Sequence, residues 1–407
     1  MKILTQTGKS LLDIYNRDSQ VHKKSVSDKV RQIIEDVRLD GDEAVLKYTK
    51  KFDGVKLTAK DLRVPEGEIS AAFQNITNDF VDNLKMIIKN VTTFYKTQRQ
   101  RPCFVKADEG VILKETIQPL ESVGIYIPAG TAPLVSTVYM TVIPAKVAGV
   151  KRIVIMTPPN KNGQVNPYVL AVANLLKVNE IYKVGGAQAI AALALGTKTV
   201  PRVHKVVGPG NIYVTEAKRQ VFGFVDIDML AGPSELAIIA NRCSNPDFVA
   251  ADMEGQIEHL GGLAVLISTS KQLLKQLRNR VPSGYGVYAK NMDEAIEIAN
   301  KIAPEHLEIM TNNPNVIAKK IVNAGAIFLG PYSPTALGDY AAGPSHVLPT
   351  MGSAKYFSGL GTDHFVKKSH VISYSKKALD KVKDAIIQIA TLEGLNKHSE
   401  SIKVRFK

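Results

Sequence analysis

Apolar positions in the first hundred residues recur at helical spacing. Val30, Ile33, Ile34 and Val37 form one stripe, stopped by Asp40-Gly41. Ile69, Phe73, Ile76, Phe80, Leu84, Ile87 and Val91 form a longer one, and a 3.6-residue period of this kind marks a core face. From about residue 111 the pattern changes. Short β-branched runs at 123–127, 152–156, 181–184 and 203–207 alternate with helical stretches at 138–147, 167–176, 187–195 and 211–222. A second series begins near residue 234, with strand-like runs at 235–240, 263–268, 286–289, 308–311 and 326–329. Helical runs at 246–259, 271–280 and 293–302 separate them. Alternation of strand and helix predicts a parallel sheet covered on both faces, here as two tandem α/β units. The tail from about residue 351 is loop-rich. It carries one strand at 371–374 and a helix that places Leu379, Val382, Ile386 and Ile389 on one face.

Composition narrows the class. At roughly 100–200 residues per domain, 407 residues make two to three domains. With 45% hydrophobic and 22% charged residues, the chain has apolar material for a core, which excludes disorder as its dominant state. No apolar run approaches the ~20 residues of a bilayer span, and residues 1–8 lack the apolar region of a secretory signal. The expected compartment is the cytoplasm, with no membrane partner. Two cysteines, Cys103 and Cys243, provide neither a disulfide framework nor a Cys-based metal cluster. The net charge of +14 raises the question of nucleic acid. The basic residues come in scattered pairs such as Lys23-Lys24 and Lys367-Lys368, without interleaved aromatics, so they read as a solvated lysine-rich surface and no nucleic-acid partner is expected.

Candidate chemistry falls in two places. The first α/β unit holds three glycine-rich strand-to-helix turns, at 128–130, 185–188 and 208–211. Such turns lie at the carboxyl ends of parallel strands, where helix N-termini offer free N–H groups to a phosphate. The G-x-G-x-x-G fingerprint is absent, so a dinucleotide would bind in a non-standard mode. The second unit and tail hold the ionisable residues. Gln256 and His259 share a helix face at i, i+3. Glu305-His306 follows Pro304 at a helix-to-strand passage, Asp339 sits in a polar loop, and Glu393 and His398 lie near the C-terminus. Imidazole, carboxylate and amide oxygen together can hold Zn²⁺. Adjacent side chains of a regular strand point to opposite faces, so Glu305 and His306 can serve one site only where the backbone leaves the strand, as Pro304 favours. Together they would offer two general bases of different pKa.

At these residues the sequence resembles the histidinol dehydrogenase family, over roughly residues 25–404. The blocks that carry the resemblance are 123–133 (VGIYIPAGTAP), 185–196 (GGAQAIAALALG), 208–220 (GPGNIYVTEAKRQ), 231–235 (AGPSE), 256–259 (QIEH), 304–307 (PEHL), 338–350 (GDYAAGPSHVLPT) and 393–398 (EGLNKH). The resemblance implies a fold of two incomplete Rossmann-like parallel-sheet units with a helical N-terminal region and a small C-terminal tail domain. It implies an N-terminal arm (1–22) and a catalytic, metal-binding α/β domain with the N-terminal helices (23–122 plus 236–355). An NAD-binding domain (123–235) and a C-terminal dimerisation tail (356–407) complete the division. The implied metal ligands are Gln256, His259, Asp339 and His398, and the implied bases Glu305 and His306. Substrate contacts would come from Ser234, Gln256, His259, His306, Asp339, Glu393 and His398, with His346 a weaker candidate. NAD would lie by Tyr126, Gln188 and Asn211. The implied activity is zinc-dependent, NAD-linked oxidation of L-histidinol through L-histidinal to L-histidine, in a homodimer whose tails cross to complete each other's sites. Neither cysteine lies in a matching motif, which argues against a thioester route. The alternative is a dehydrogenase of another small polar alcohol on the same scaffold.

Overall fold

The computed structural model describes residues 1–5, 9–17, 24–98, 100, 102–107, 110–129 and 133–407. The chain forms two compact units, residues 1–98 with 120–365 and residues 99–119 with 366–407. The larger unit contains two parallel sheets. One has five strands in the spatial order Ile181–Lys183, Arg152–Thr157, Ser122–Tyr126, Lys205–Val207, Asp226–Ile227. The other has six, in the order Lys2–Leu4, Tyr285–Tyr288, Leu263–Ser268, Glu235–Ala240, His306–Met310, Ala326–Leu329. Leaving aside the edge strand Lys2–Leu4, both sheets run third, second, first, fourth, fifth in chain order. The expected tandem α/β architecture is thus present, with the same topology twice.

Alternation along each strand builds a separate core on each face. In the five-stranded sheet Val123, Ile125, Ile153 and Ile155 enter one core, while Tyr126, Val154 and Met156 enter the other. In the six-stranded sheet Ala237, Ile239, Leu307 and Ile309 face one way, and Leu236, Ile238, Ala240 and Met310 the other. The helices Val135–Ala148 and Gly186–Leu195 are apolar on every side, because each is buried twice. They pack on the sheet below and on N-terminal helices above, Asn78–Thr97 over the first and Lys24–Asp40 over the second. The N-terminal helices therefore extend the five-stranded sheet's core outward by a layer.

Three expectations need correction. The stripe from Ile69 to Val91 is not one helix. It divides into Glu66–Ala71, a 3₁₀ turn Ala72–Asn75, and Asn78–Thr97. Ile76 is extended, and Thr77 caps a new helix by accepting the Phe80 N–H at 3.3 Å. The strand Lys2–Leu4, too short to show a period, lies parallel to Tyr285–Tyr288. The smaller unit has a three-stranded antiparallel sheet, in the order Val366–Ser373, Val111–Pro119, Phe104–Ala107, where the sequence pattern shows only a strand at 371–374. These strands interleave charged and apolar residues with little burial, so no apolar run marks them. Two helices follow, Lys376–Leu392 and Asn396–Lys403. Among the described residues no helix is long and apolar enough to cross a membrane.

One turn sets the carboxyl edge of the five-stranded sheet. After Lys205–Val207 the chain passes through Gly208 at φ +114, hard against the Tyr126 carbonyl oxygen, so that a Cβ there would collide with it. The Gly208 N–H donates to Asp228 Oδ2 at 2.8 Å, and its carbonyl accepts from Lys218 Nζ at 3.0 Å. Lys218 and Asp228, both buried, pair with each other. We expect Gly208→Ala to destabilise the protein by about 2–3 kcal/mol, from backbone strain and displacement of the neighbouring strand. Thermal unfolding measures this; an unchanged Tm would show that the turn relaxes at no cost.

Candidate active site

The ionisable residues collect at the amino ends of the six-stranded sheet, not at the carboxyl ends where open α/β sheets usually bind ligands. The helix Met292–Ile302 stops at Ala303, which is left-handed at φ +47. Pro304 follows, and Glu305 lies on a bend before the strand opens at His306. This irregular entry brings the two neighbouring side chains together, with Glu305 Oε2 3.6 Å from His306 Nδ1. Both are held by the backbone of Glu235 on the adjacent strand. Its N–H donates to Glu305 Oε2 at 2.9 Å, and its carbonyl lies 3.1 Å from His306 Nδ1. The Glu235 side chain is itself buried and pairs with Arg17, whose guanidinium also donates to the carbonyls of Ile14 at 2.6 Å and Ile302 at 2.9 Å. The Met351 N–H donates to the same carboxylate at 3.0 Å.

Electrostatics separates the members of this group. Burial pushes the Glu305 carboxyl up to about 7, against the pull of His306 and the Glu235 N–H. Burial disfavours the charged His306 ring, but the Glu305 and Asp339 carboxylates outweigh it and carry the imidazole up to about 9. His306 Nε2 lies 3.4 Å from Asp339 Oδ1. Burial opposes the Asp339 charge as well, yet His306 beside it holds that carboxyl below its ordinary range. Asp339 is not in a loop, as the polar sequence suggested. It sits on the short helix Thr335–Tyr340, where Gly338 allows close packing on Phe328. His346 presents Nδ1 to the Asp339 carbonyl at 2.9 Å and Nε2 to Thr137 Oγ1 at 3.2 Å, so both ring nitrogens are engaged within the protein. A cavity of about 560 Å³ beside His306 is lined by Phe94, Tyr95, Phe328, Ser345 and His346 among others.

The helix carrying Gln256 ends at Ile257, two residues short of the expected end, so His259 lies just beyond it. The His259 N–H still reaches the Gln256 carbonyl at 3.3 Å, a tightened last turn. Gly262 closes this turn so tightly that a Cβ would strike the same carbonyl, which accounts for glycine there. Gln256 is buried, and its Nε2 has no partner. His259 is exposed, but its charge reaches Asp339 and His346. Ser234 lies immediately before the strand Glu235–Ala240, its carbonyl accepting from the Leu263 N–H at 3.0 Å. Gln256, His259 and Asp339 thus belong to the larger unit. Glu393 and His398 belong to the smaller one, both exposed, Glu393 at the end of Lys376–Leu392 and His398 within Asn396–Lys403. Among the described residues no three His, Cys, Asp or Glu side chains converge as a metal site.

At the carboxyl end of the five-stranded sheet, the Tyr126 hydroxyl accepts from the Gly186 N–H at 3.0 Å. Gln188 is fully buried with neither amide atom partnered. Asn211 caps the helix Ile212–Val221 by accepting from the Tyr213 and Val214 N–H groups at 3.0 and 3.2 Å. Gly130, in the first glycine-rich turn, lies outside the described residues.

Comparison with known proteins decides what this arrangement belongs to. A family model described as histidinol dehydrogenase matches residues 16–406. The chain is 48% identical to a histidinol dehydrogenase of Listeria monocytogenes serotype 4b, covering 100% of this chain and 99% of that protein. It is 48% identical to one from Clostridium acetobutylicum, covering 93% and 92%. The crystal structure of histidinol dehydrogenase from Elizabethkingia anophelis superposes with a TM-score of 0.93 at 36% identity, covering 100% of this chain and 98% of that one. The chain belongs to the histidinol dehydrogenase family. It is a dehydrogenase of histidine biosynthesis, as the resemblance implied.

The residues behind the site carry little signal in the sequence. In the sequence Arg17 is an isolated charge near the N-terminus, and Glu235 a charge opening an apolar strand. Glu308 was read as an ordinary strand residue. It is buried on the same strand face as His306, and accepts the Thr335 N–H at 2.7 Å and its hydroxyl at 2.6 Å. Burial, reinforced by the Asp252 carboxyl, pushes Glu308 up to about 8. Its folded state holds a proton that the unfolded chain releases near pH 4.5, so stability falls as pH rises through that interval toward 8. Glu308→Gln should remove this slope and make the protein more stable than the parent above pH 8, by about 1–3 kcal/mol. Urea unfolding across pH 5–9 checks this, and parallel profiles for the two proteins would refute the assignment.

Proposed function

We propose that this chain oxidises L-histidinol through L-histidinal to L-histidine with zinc and NAD, in the cytoplasm, as a homodimer whose active sites are shared. The observation that carries the reading is the adjacent pair Glu305 and His306, both fixed on one backbone residue and facing Asp339. The donor set fits zinc. His259 lies close enough to Asp339 for its charge to act on that carboxyl, so imidazole and carboxylate come together, and the buried Gln256 on the turn before His259 would add an amide oxygen. His398 would be the fourth ligand, from the second copy. Zinc, when bound there, grips and orients the substrate's imidazole and amine. The cofactor region also fits its ligand, because Gln188 keeps two unpartnered amide atoms at a helix N-terminus beside Tyr126. NAD, when bound, accepts the hydride released in each of the two oxidations.

The chain's own residues handle the protons. With Nδ1 turned to the Glu235 carbonyl, Nε2 of the neutral His306 ring takes the substrate hydroxyl proton, and the share of that neutral form grows as pH rises toward 9. Glu305, with its pKa carried to about 7, takes a proton from water so that the aldehyde is hydrated. The hydrate then loses a second proton and hydride to become the acid. Ser234 and the second copy's Glu393 would hold the remaining polar groups of the substrate. The dimer reading is supported by Phe104, Ile372, Ile389 and Leu392 on the smaller unit, large apolar side chains left exposed in the single chain.

Purified protein should form two NADH per L-histidinol, lose this activity in a chelator and regain it with Zn²⁺. Full turnover without metal would reject the zinc assignment, and turnover of another alcohol but not L-histidinol would favour the alternative substrate. The shared site has its own test. His398→Ala and Gln256→Ala chains, each nearly inactive, should recover up to roughly a quarter of the parent activity when unfolded and refolded together, since about half the dimers would be mixed and each would hold one intact site. Heterodimers as inactive as the two parents would show that each site is built from one chain.

A further inference from the structure

The five-stranded sheet has the strand order of a nucleotide-binding unit but lacks one of its parts. In open parallel sheets of this type, an acidic side chain at the carboxyl end of the second strand accepts a hydrogen bond from a hydroxyl of the adenosine ribose. Here the second strand is Arg152–Thr157, and it runs into Pro158-Pro159 without an acid. An acid arrives from elsewhere. Asp53 caps the end of the N-terminal helix Asp42–Phe52, its N–H donating to the Thr49 carbonyl at 2.9 Å. Its Oδ1 lies 3.3 Å from the point a Cβ on Gly185 would occupy, and the Pro158 Cβ lies 2.6 Å from that same point. The Asp53 carboxyl, the end of the second strand and the turn after the third therefore meet at one place.

We propose that Asp53 selects NAD over its 2′-phosphorylated counterpart, by accepting a hydrogen bond from a ribose hydroxyl of the bound dinucleotide. The inference rests on the NAD reading above and adds to it the residue that discriminates. Two observations carry it besides position. Asp53 Oδ2 is shielded from solvent and has no hydrogen-bond partner, a costly state for a carboxylate unless a ligand supplies the donor. Independently, Gln188 in the following turn is fully buried with both amide atoms unpartnered, so a second group at this edge also lacks the ligand it is built for. Burial alone carries the Asp53 carboxyl up to about 6, which leaves it ionised at neutral pH. No Lys or Arg pairs with it among the described residues, so a 2′-phosphate would meet an uncompensated negative charge.

The test is direct binding of NADH and NADPH to the full chain without substrate, by calorimetry or nucleotide fluorescence. The parent should bind NADH at least about tenfold more tightly than NADPH. Asp53→Asn should weaken NADH by about tenfold and strengthen NADPH, so that the preference disappears. Asp53→Glu should retain part of it. In the ligand-free protein Asp53→Asn should keep or raise the Tm, because it removes an unpaired buried charge. An NADH to NADPH affinity ratio equal in parent and Asp53→Asn would overturn the proposal while leaving the NAD reading intact. So would a lowered Tm with both nucleotides weakened alike, the mark of a merely structural residue. A parent that binds neither nucleotide would instead reject the NAD reading, and Asp53 with it.

Discussion

The backbone of Glu235 is the fixed point of the candidate active site, and a buried ion pair holds it there. Its N–H and carbonyl reach Glu305 and His306, so any shift of this one residue moves both side chains. Its side chain is anchored by Arg17 from the N-terminal segment and by the Met351 N–H from the far end of the larger unit. Arg17 in turn grips the carbonyl that ends the helix leading to Glu305. A charge pair of this kind adds little net stability over apolar packing, but losing one partner strands the other in the interior. Its value is positional: three separate parts of the chain must be in place before Glu305 and His306 are.

The same topology is used twice, at opposite ends. The five-stranded sheet presents Tyr126, Gly208 and the glycine-rich turns at its carboxyl edge, as parallel sheets generally do. The six-stranded sheet presents Glu235 and His306 at its amino edge. Helix-to-strand entries are poor places for anion binding, because helix C-termini carry the negative end of the dipole. They suit a site that must hold proton acceptors beside a cation. The use of the amino edge thus matches the proposed chemistry of proton acceptors beside a cation, while the carboxyl edge of the other sheet keeps the helix N-termini suited to a phosphate-bearing ligand.

Much of the fold was legible in the order of residues. Short β-branched runs mark nine of the parallel strands, and helical spacing marks the helices between them. The segments that escaped notice share a property. Lys2–Leu4 is too short for any period, and Phe104–Ala107 and Val111–Pro119 are half-exposed with mixed charge. Their strand state comes from pairing with distant partners, which local pattern does not encode. The helix end at Ile257 and the break at Ile76 are likewise hidden from the apolar stripe, because a glycine and a cap decide where a helix stops and restarts.

The site divides in the same way. Sequence alone determined which chemistry was available: a Glu beside a His, an amide and an imidazole three apart, glycines where strands turn into helices. Residue types and short spacings carry that information, because reactivity belongs to functional groups. Only the tertiary structure decided that Glu305 and His306 converge, through a left-handed Ala303 and a bend before the strand. It alone brought Arg17 to Glu235 across more than two hundred residues of chain, and Asp53 to Gly185. Such pairings depend on how sheets and helices stack, and a carboxylate's burial and proton affinity depend on that packing rather than on its neighbours in sequence.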